Sequence, residues 1–139
     1  MHALDRAAAR DQEDRWTRWL LLFLRIMGIV SLLKGLYHWS LIIGVGIGEG
    51  AGSTFEASPL PLQAATAYFA VIDLVAAVGL WLAAAWGGVV WLTAAISMAA
   101  VELFFPQVFG GRAWVILAEA GAVILYFALA LAAARERPE

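Results

Sequence analysis

Lys34, Asp73, Glu102 and Glu119 are the residues of this 139-residue chain best equipped for chemistry, because each falls inside one of four long apolar stretches. His38 follows Lys34 by about one helical turn. A charge placed centrally in a lone spanning helix costs about 2.5–3.5 kcal/mol on insertion scales, so these groups must meet each other, water or a partner. Three uses are open to them: ion pairing that fixes one helix against another, proton or ion transfer between titratable groups, and recognition of a partner's helix. A divalent metal held by His38, Glu102 and Glu119 is disfavoured and no metal is expected, because helical carboxylate sites use a tighter Glu-x-x-His spacing that is absent here.

The elements that must carry these side chains follow from hydropathy. The chain is 63% hydrophobic and 14% charged, and its apolar residues come in blocks long enough to cross about 30 Å of hydrocarbon at about 1.5 Å per helical residue. The expected fold is all-α: an integral membrane, antiparallel four-helix transmembrane bundle forming one domain over residues 19–134. Its spans cover about 19–43, 62–85, 88–105 and 113–134, after a polar segment, 1–18, and before a polar tail, 135–139. The first span is too long for a cleaved signal peptide and is expected to stay in the mature protein. Residues 44–61, rich in Gly, Ser and Pro and carrying two acids but no base, read as the long loop, and their GVGIGEG run as flexible linker. Gly87-Gly88 reads as a tight hairpin between spans two and three, and Pro106 with Gly110-Gly111 as the break before span four.

Arginine placement gives an expected orientation. Arg6, Arg10, Arg15 and Arg18 precede span one and Arg135 and Arg137 follow span four, whereas the 44–61 loop has no Lys or Arg. Both termini are therefore expected to be cytoplasmic, in a bacterial inner membrane, with Trp16, Trp19, Trp86 and Trp91 near the cytoplasmic headgroups and Trp114 near the opposite interface. Arg25 lies far enough toward the inner end to snorkel to the headgroups.

Helical periodicity sorts each span into faces. In span one, Gly28, Ser31, Lys34, Gly35 and His38 share one sector; in span two, Asp73 shares its face with Thr66, Ala70, Ala76, Ala77 and Ala84; in span four, Glu119 aligns with Ala122, Tyr126, Ala130 and Ala133. Small residues let helices approach closely in lipid, which assigns Gly28, Gly35, Ala70 and Ala77 to helix packing. Depth counting puts Lys34 and Asp73 near mid-membrane, where an ion pair between them is expected, and His38, Glu102 and Glu119 in an outer layer. Lys34, Asp73, His38, Glu102, Glu119, Ser31 and Tyr126 are the candidate relay if the charges carry protons. The alternative is that they serve only packing and register.

Other function classes find no support. The chain has no cysteine, which excludes disulfides, thiol redox relays and thiolate metal sites built from this chain alone. There is no Gly-rich phosphate loop in strand-to-helix context, no GxSxG elbow and no HExxH; no catalytic residue and no cofactor is expected. The net charge of -2, with arginines clustered at the ends, gives no nucleic-acid surface.

The segments FLRIMGIVSLLKGLYHW, AVIDLVAAVGLWLAAAWGGVVWL and ILAEAGAVILYFALAL together resemble the DoxX-like superfamily of small four-helix membrane proteins, and within it an uncharacterised family of short proteobacterial inner-membrane proteins. The resemblance covers about Arg18 to Ala133. It aligns Arg25, Gly28, Gly35 and His38 with a spaced arginine, glycines and late basic residue, and Asp73, Gly79 and Leu80 with an acid followed by a Gly-Leu step. Members of that superfamily include partners of membrane redox systems and many proteins with no assigned role, and the missing cysteines set this chain apart from thiol-handling relatives. The expected function is a non-enzymatic accessory or scaffolding subunit of an inner-membrane complex, in contact with lipid and with a membrane-protein partner or further copies of itself. The alternative is a small proton-coupled transporter using the intramembrane Lys, His and carboxylates.

Overall fold

In hydrocarbon a backbone must satisfy its own N–H and C=O groups, and helices do so within one segment. The computed structural model describes residues 2–45, 55–109 and 112–135, and every long element among them is helical. In chain order these are α1 (His2–Ile43), α2 (Leu60–Trp81), α3 (Ala85–Phe104), the short α4 (Pro106–Phe109) and α5 (Ala113–Arg135). Stretches of α1, α2, α3 and α5 are long and apolar enough to cross a membrane, which makes this a multi-pass membrane protein by helix length and composition. Residues 46–54 of the 44–61 loop, the Gly110-Gly111 break and the tail after Arg135 lie outside the described residues.

α1 runs without interruption from the polar N-terminal segment into the first span. Its 42 residues extend about 63 Å, twice the thickness of the hydrocarbon. Residues 2–9 are exposed. The four long helices alternate in direction: α1 lies against α2 and α5, and α3 completes the ring between the same two. Between α1 and α2, Gly28 faces Ala77 and Leu80, Gly35 faces Leu74, and Trp39 Nε1 donates to the Ala70 carbonyl at 3.0 Å. The inward faces match the sector reading, with Gly28, Ser31, Gly35 and His38 buried on α1 and Thr66, Ala70, Asp73, Ala76 and Ala77 buried on α2.

The hairpin between α2 and α3 departs from expectation. Its turn is Leu82–Ala84, and Gly87 and Gly88 lie buried in the first turns of α3. Ala83 takes the left-handed position, φ 53°, while Ala84 N–H bonds the Gly79 carbonyl at 3.0 Å and Ala83 N–H the Leu80 carbonyl at 3.0 Å, closing a Schellman-type end. Ala84, placed by periodicity on the Asp73 face, belongs to this turn. The glycines serve contact instead of bending: a Cβ at Gly87 would fall 2.2 Å from the Gly79 backbone, and one at Gly88 would fall 2.8 Å from the Tyr126 hydroxyl.

That close approach builds the core below the charged layer. Trp91 is 2% exposed, packed with Ala76 and Leu80 and ringed by Phe23 and Tyr126. Its ring centroid lies 6.1 Å from Phe23 and 5.6 Å from Tyr126, both edge-on. Trp91 is therefore a core residue and not part of an interfacial belt, because it shares the inward face of α3 with Gly88, Ala94 and Ala95. At the other end, Gln63 Nε2 bonds the carbonyls of Phe55, Glu56 and Ser58 and ties the preceding turn to the start of α2.

Gly87→Ala is expected to destabilise the protein by about 1–3 kcal/mol, since the obstructing atoms are backbone and cannot rotate away. Gly121→Ala, where a Cβ meets nothing within 4 Å, is expected to be neutral or to stabilise by up to about 1 kcal/mol. Unfolding of both variants in detergent checks the contrast, and equal losses would mean the α2–α3 contact is looser than described.

Candidate functional site

Lys34, Asp73 and Glu119 gather where α1, α2 and α5 meet. Lys34 Nζ donates to Glu119 Oε1 at 2.6 Å and lies 3.9 Å from Asp73 Oδ1. His38 Nδ1 donates to the Lys34 carbonyl at 2.8 Å, one turn back on the same helix, and lies 3.8 Å from Asp73 Oδ2. The His38 ring sits beside Phe69 and Tyr37, with centroids 5.8 and 5.6 Å away. One ammonium thus faces two carboxylates, and one of them also faces an imidazole.

The expected Lys34–Asp73 pair is present only as the longer arm of this arrangement. Depth counting put Glu119 in an outer layer with Glu102 and His38; the contacts put it level with the lysine ammonium. The reason is reach. Lys34 lies nine residues before the end of α1 and Glu119 six after the start of α5, a difference of about one turn that the four-carbon lysine stem spans. Asp73 is 1% exposed, and among the described residues neither of its oxygens finds a hydrogen-bond donor. A buried carboxylate without a donor is costly, so its two cationic-capable neighbours matter the more.

Glu102 stands apart from this cluster. It is 4% exposed, and its Oε2 accepts the backbone N–H of Arg112 at 2.9 Å, pinning the connection between α3 and α5. Pro106 and the glycine doublet mark a break before the last span, but the sequence does not say that Glu102 accepts from Arg112. Ser31 is buried on the α1 face, and Tyr126 belongs to the aromatic core with Phe23 and Trp91. His38, Glu102 and Glu119 thus turn to three different partners, and no group of three metal-ligating side chains converges among the described residues. Arg25 lies with its guanidinium over the Trp81 ring at 5.5 Å, an exposed contact that periodicity alone does not reveal.

A cleft of about 560 Å³ opens beside the cluster, between α1, α3 and α5. Met27, Val30, Met98, Val115 and Ala122 form its apolar walls, and Lys34, His38, Glu102, Glu119 and Arg112 line its polar side. Tyr37 and Trp114, which the sequence reading did not assign to a site, stand at its mouth, both largely exposed. Below it, Phe23, Trp91 and Tyr126 close the bundle with packed rings.

A family model described as "Family of unknown function (DUF6163)" matches residues 18–137, nearly the whole bundle. The chain belongs to this family. No curated protein and no solved structure matches it. Family membership agrees with the expected uncharacterised family of small membrane proteins. The match begins at Arg18, so the family model takes in all four candidate spans from that residue on and leaves the first 17 residues outside.

Removing Lys34 strands Asp73 and Glu119 together, so Lys34→Met is expected to cost about 3 kcal/mol or more and to lower the yield of folded protein. Asp73→Asn is expected to be far milder, because Lys34 keeps Glu119. The double variant Lys34→Met/Asp73→Asn is expected to recover part of the loss. Unfolding in detergent gives the three values; an Asp73→Asn loss equal to that of Lys34→Met would contradict the assignment of Glu119 as the principal partner.

Proposed function

We propose that this protein is a non-enzymatic accessory subunit of a bacterial inner-membrane complex, oriented with both termini in the cytoplasm, and that it docks a partner helix along α5. One observation carries the reading. In α2 and α3 a continuous face is buried, but no residue in the most apolar stretch of α5 is, and Ala133 is the helix's one buried residue. Leu117, Ala120, Gly121, Ile124, Ala128 and Leu131 form an uncovered face, and the open space around Gly121 suits close approach of another helix. An apolar groove of about 270 Å³ between α3 and α5, lined by Ala95, Ile96, Ala99, Ile116 and Ala120, continues that face. The resemblance to the DoxX-like superfamily, which includes subunits of membrane redox systems, supports the same reading.

A second reading, a small proton-coupled transporter, draws on the Lys34, Glu119, Asp73 and His38 cluster. The packed rings of Phe23, Trp91 and Tyr126 weigh against it, because they separate the cluster from the other end of the bundle.

The chain has no cysteine of its own, which makes single-cysteine cross-linking clean. Cysteine at Leu117 or Ala128 in native membranes is expected to give a discrete adduct with another membrane protein or a second copy, whereas cysteine at Val71, exposed on α2, gives none. Adducts absent from α5, or equally frequent from Val71, would overturn the docking face, and proton flux into liposomes carrying the protein alone would favour transport.

A further inference from the structure

The cleft between α1, α3 and α5 carries a charge imbalance that the docking face does not use. Glu102 and Glu119 stand against Lys34 inside and Arg112 at the rim, and Lys34 also answers Asp73, which lies behind it and does not line the cleft. Arg112 is exposed, so water and headgroups screen its contribution, which leaves the interior lining with one carboxylate more than its single ammonium. Uncompensated charge away from water is expensive, and an occupant bearing a positive charge removes the excess where an anion would double it.

Acceptor capacity points the same way. Among the described residues Glu119 engages only Oε1 and Glu102 only Oε2 in hydrogen bonds. The walls select for apolar substituents. Met27 and Met98 are flexible, polarizable side chains that adapt to irregular shapes, and Val30, Val115, Ala118 and Ala122 complete the surface. Tyr37 and Trp114 offer aromatic faces at the mouth, which attract cations. The volume, about 560 Å³, suits a small organic molecule.

We propose that this cleft binds a lipophilic organic cation, an amine or onium compound whose positive centre lies by Glu102 and Glu119 and whose apolar groups lie against Met27, Val30 and Met98. Neither the accessory role nor the docking face requires this site, so the two can fail separately.

Tetraphenylphosphonium and tetraphenylborate have nearly the same size and shape and opposite charge, which makes them a matched pair of probes. Binding is measured by equilibrium dialysis on the full chain in phosphatidylcholine nanodiscs, with protein-free discs subtracted. The expected result is saturable phosphonium binding and no saturable borate binding. Glu102→Gln keeps an oxygen for the Arg112 N–H and removes the charge; it is expected to weaken phosphonium binding at least tenfold. Ala118→Phe fills the cleft from α5 without altering any charge and is expected to do the same. Phosphonium uptake no greater than that of protein-free discs, borate binding as tight as phosphonium, or wild-type affinity in both variants would overturn the proposal.

Discussion

One lysine holds the charged interior of this bundle together. Lys34 projects from α1 and meets Glu119 of α5 at 2.6 Å and Asp73 of α2 at 3.9 Å, so a single ammonium spans three of the four long helices. In water such contacts are worth little. Within a membrane span, the alternative for each partner is an uncompensated charge, and the arrangement becomes a constraint on which helix faces which. Helix rotation, relative depth and the inward placement of His38 follow from it, since the His38 ring bonds the lysine's own carbonyl and faces Asp73 from the other side.

The rest of the packing accommodates that constraint with small residues. Lipid tails are as apolar as the helices, so contact between helices depends on closeness of fit. Gly28 and Gly35 bring α1 against α2, and Gly79 with Gly87 brings α2 against α3. The α2–α3 turn falls on Ala83 with its left-handed φ, while the glycines four residues to either side, Gly79 and Gly87, are committed to the contact between the helices. α5 is held differently, through Lys34–Glu119, through the Glu102–Arg112 link and through Tyr126 against Gly88, and it covers little of its own surface. The proposed docking of a partner helix rests on this helix, tethered by polar contacts and bare on its apolar side.

Much of this was legible in the sequence because spans in lipid obey strong rules. The four stretches, their alternation and the small, polar inward faces of α1 and α2 follow from hydropathy and helical period. What the sequence hid depends on distance between elements. Gly87-Gly88 has the composition of a turn and the role of a contact, and only the position of Gly79 on the neighbouring helix distinguishes the two. Trp91 has the composition of a belt residue, yet it faces Phe23 and Tyr126. Glu119 competes with Asp73 for the same lysine although counting places it about one turn from Lys34 in depth, a difference smaller than the reach of the side chain. The cleft residues Tyr37 and Trp114 gave no signal, because an exposed aromatic near a span end reads first as an interfacial anchor.

Lys34 is the only lysine in the chain, so a 15N label on lysine Nζ reports on it alone. Solid-state NMR on the protein in bilayers, with 13C at the carboxyl carbons of glutamate in one sample and aspartate in another, measures the lysine's distance to each class of partner. Strong dipolar coupling to a glutamate carboxyl and markedly weaker coupling to aspartate is the result this arrangement predicts. Stronger coupling to aspartate than to glutamate, or none to either, would contradict it.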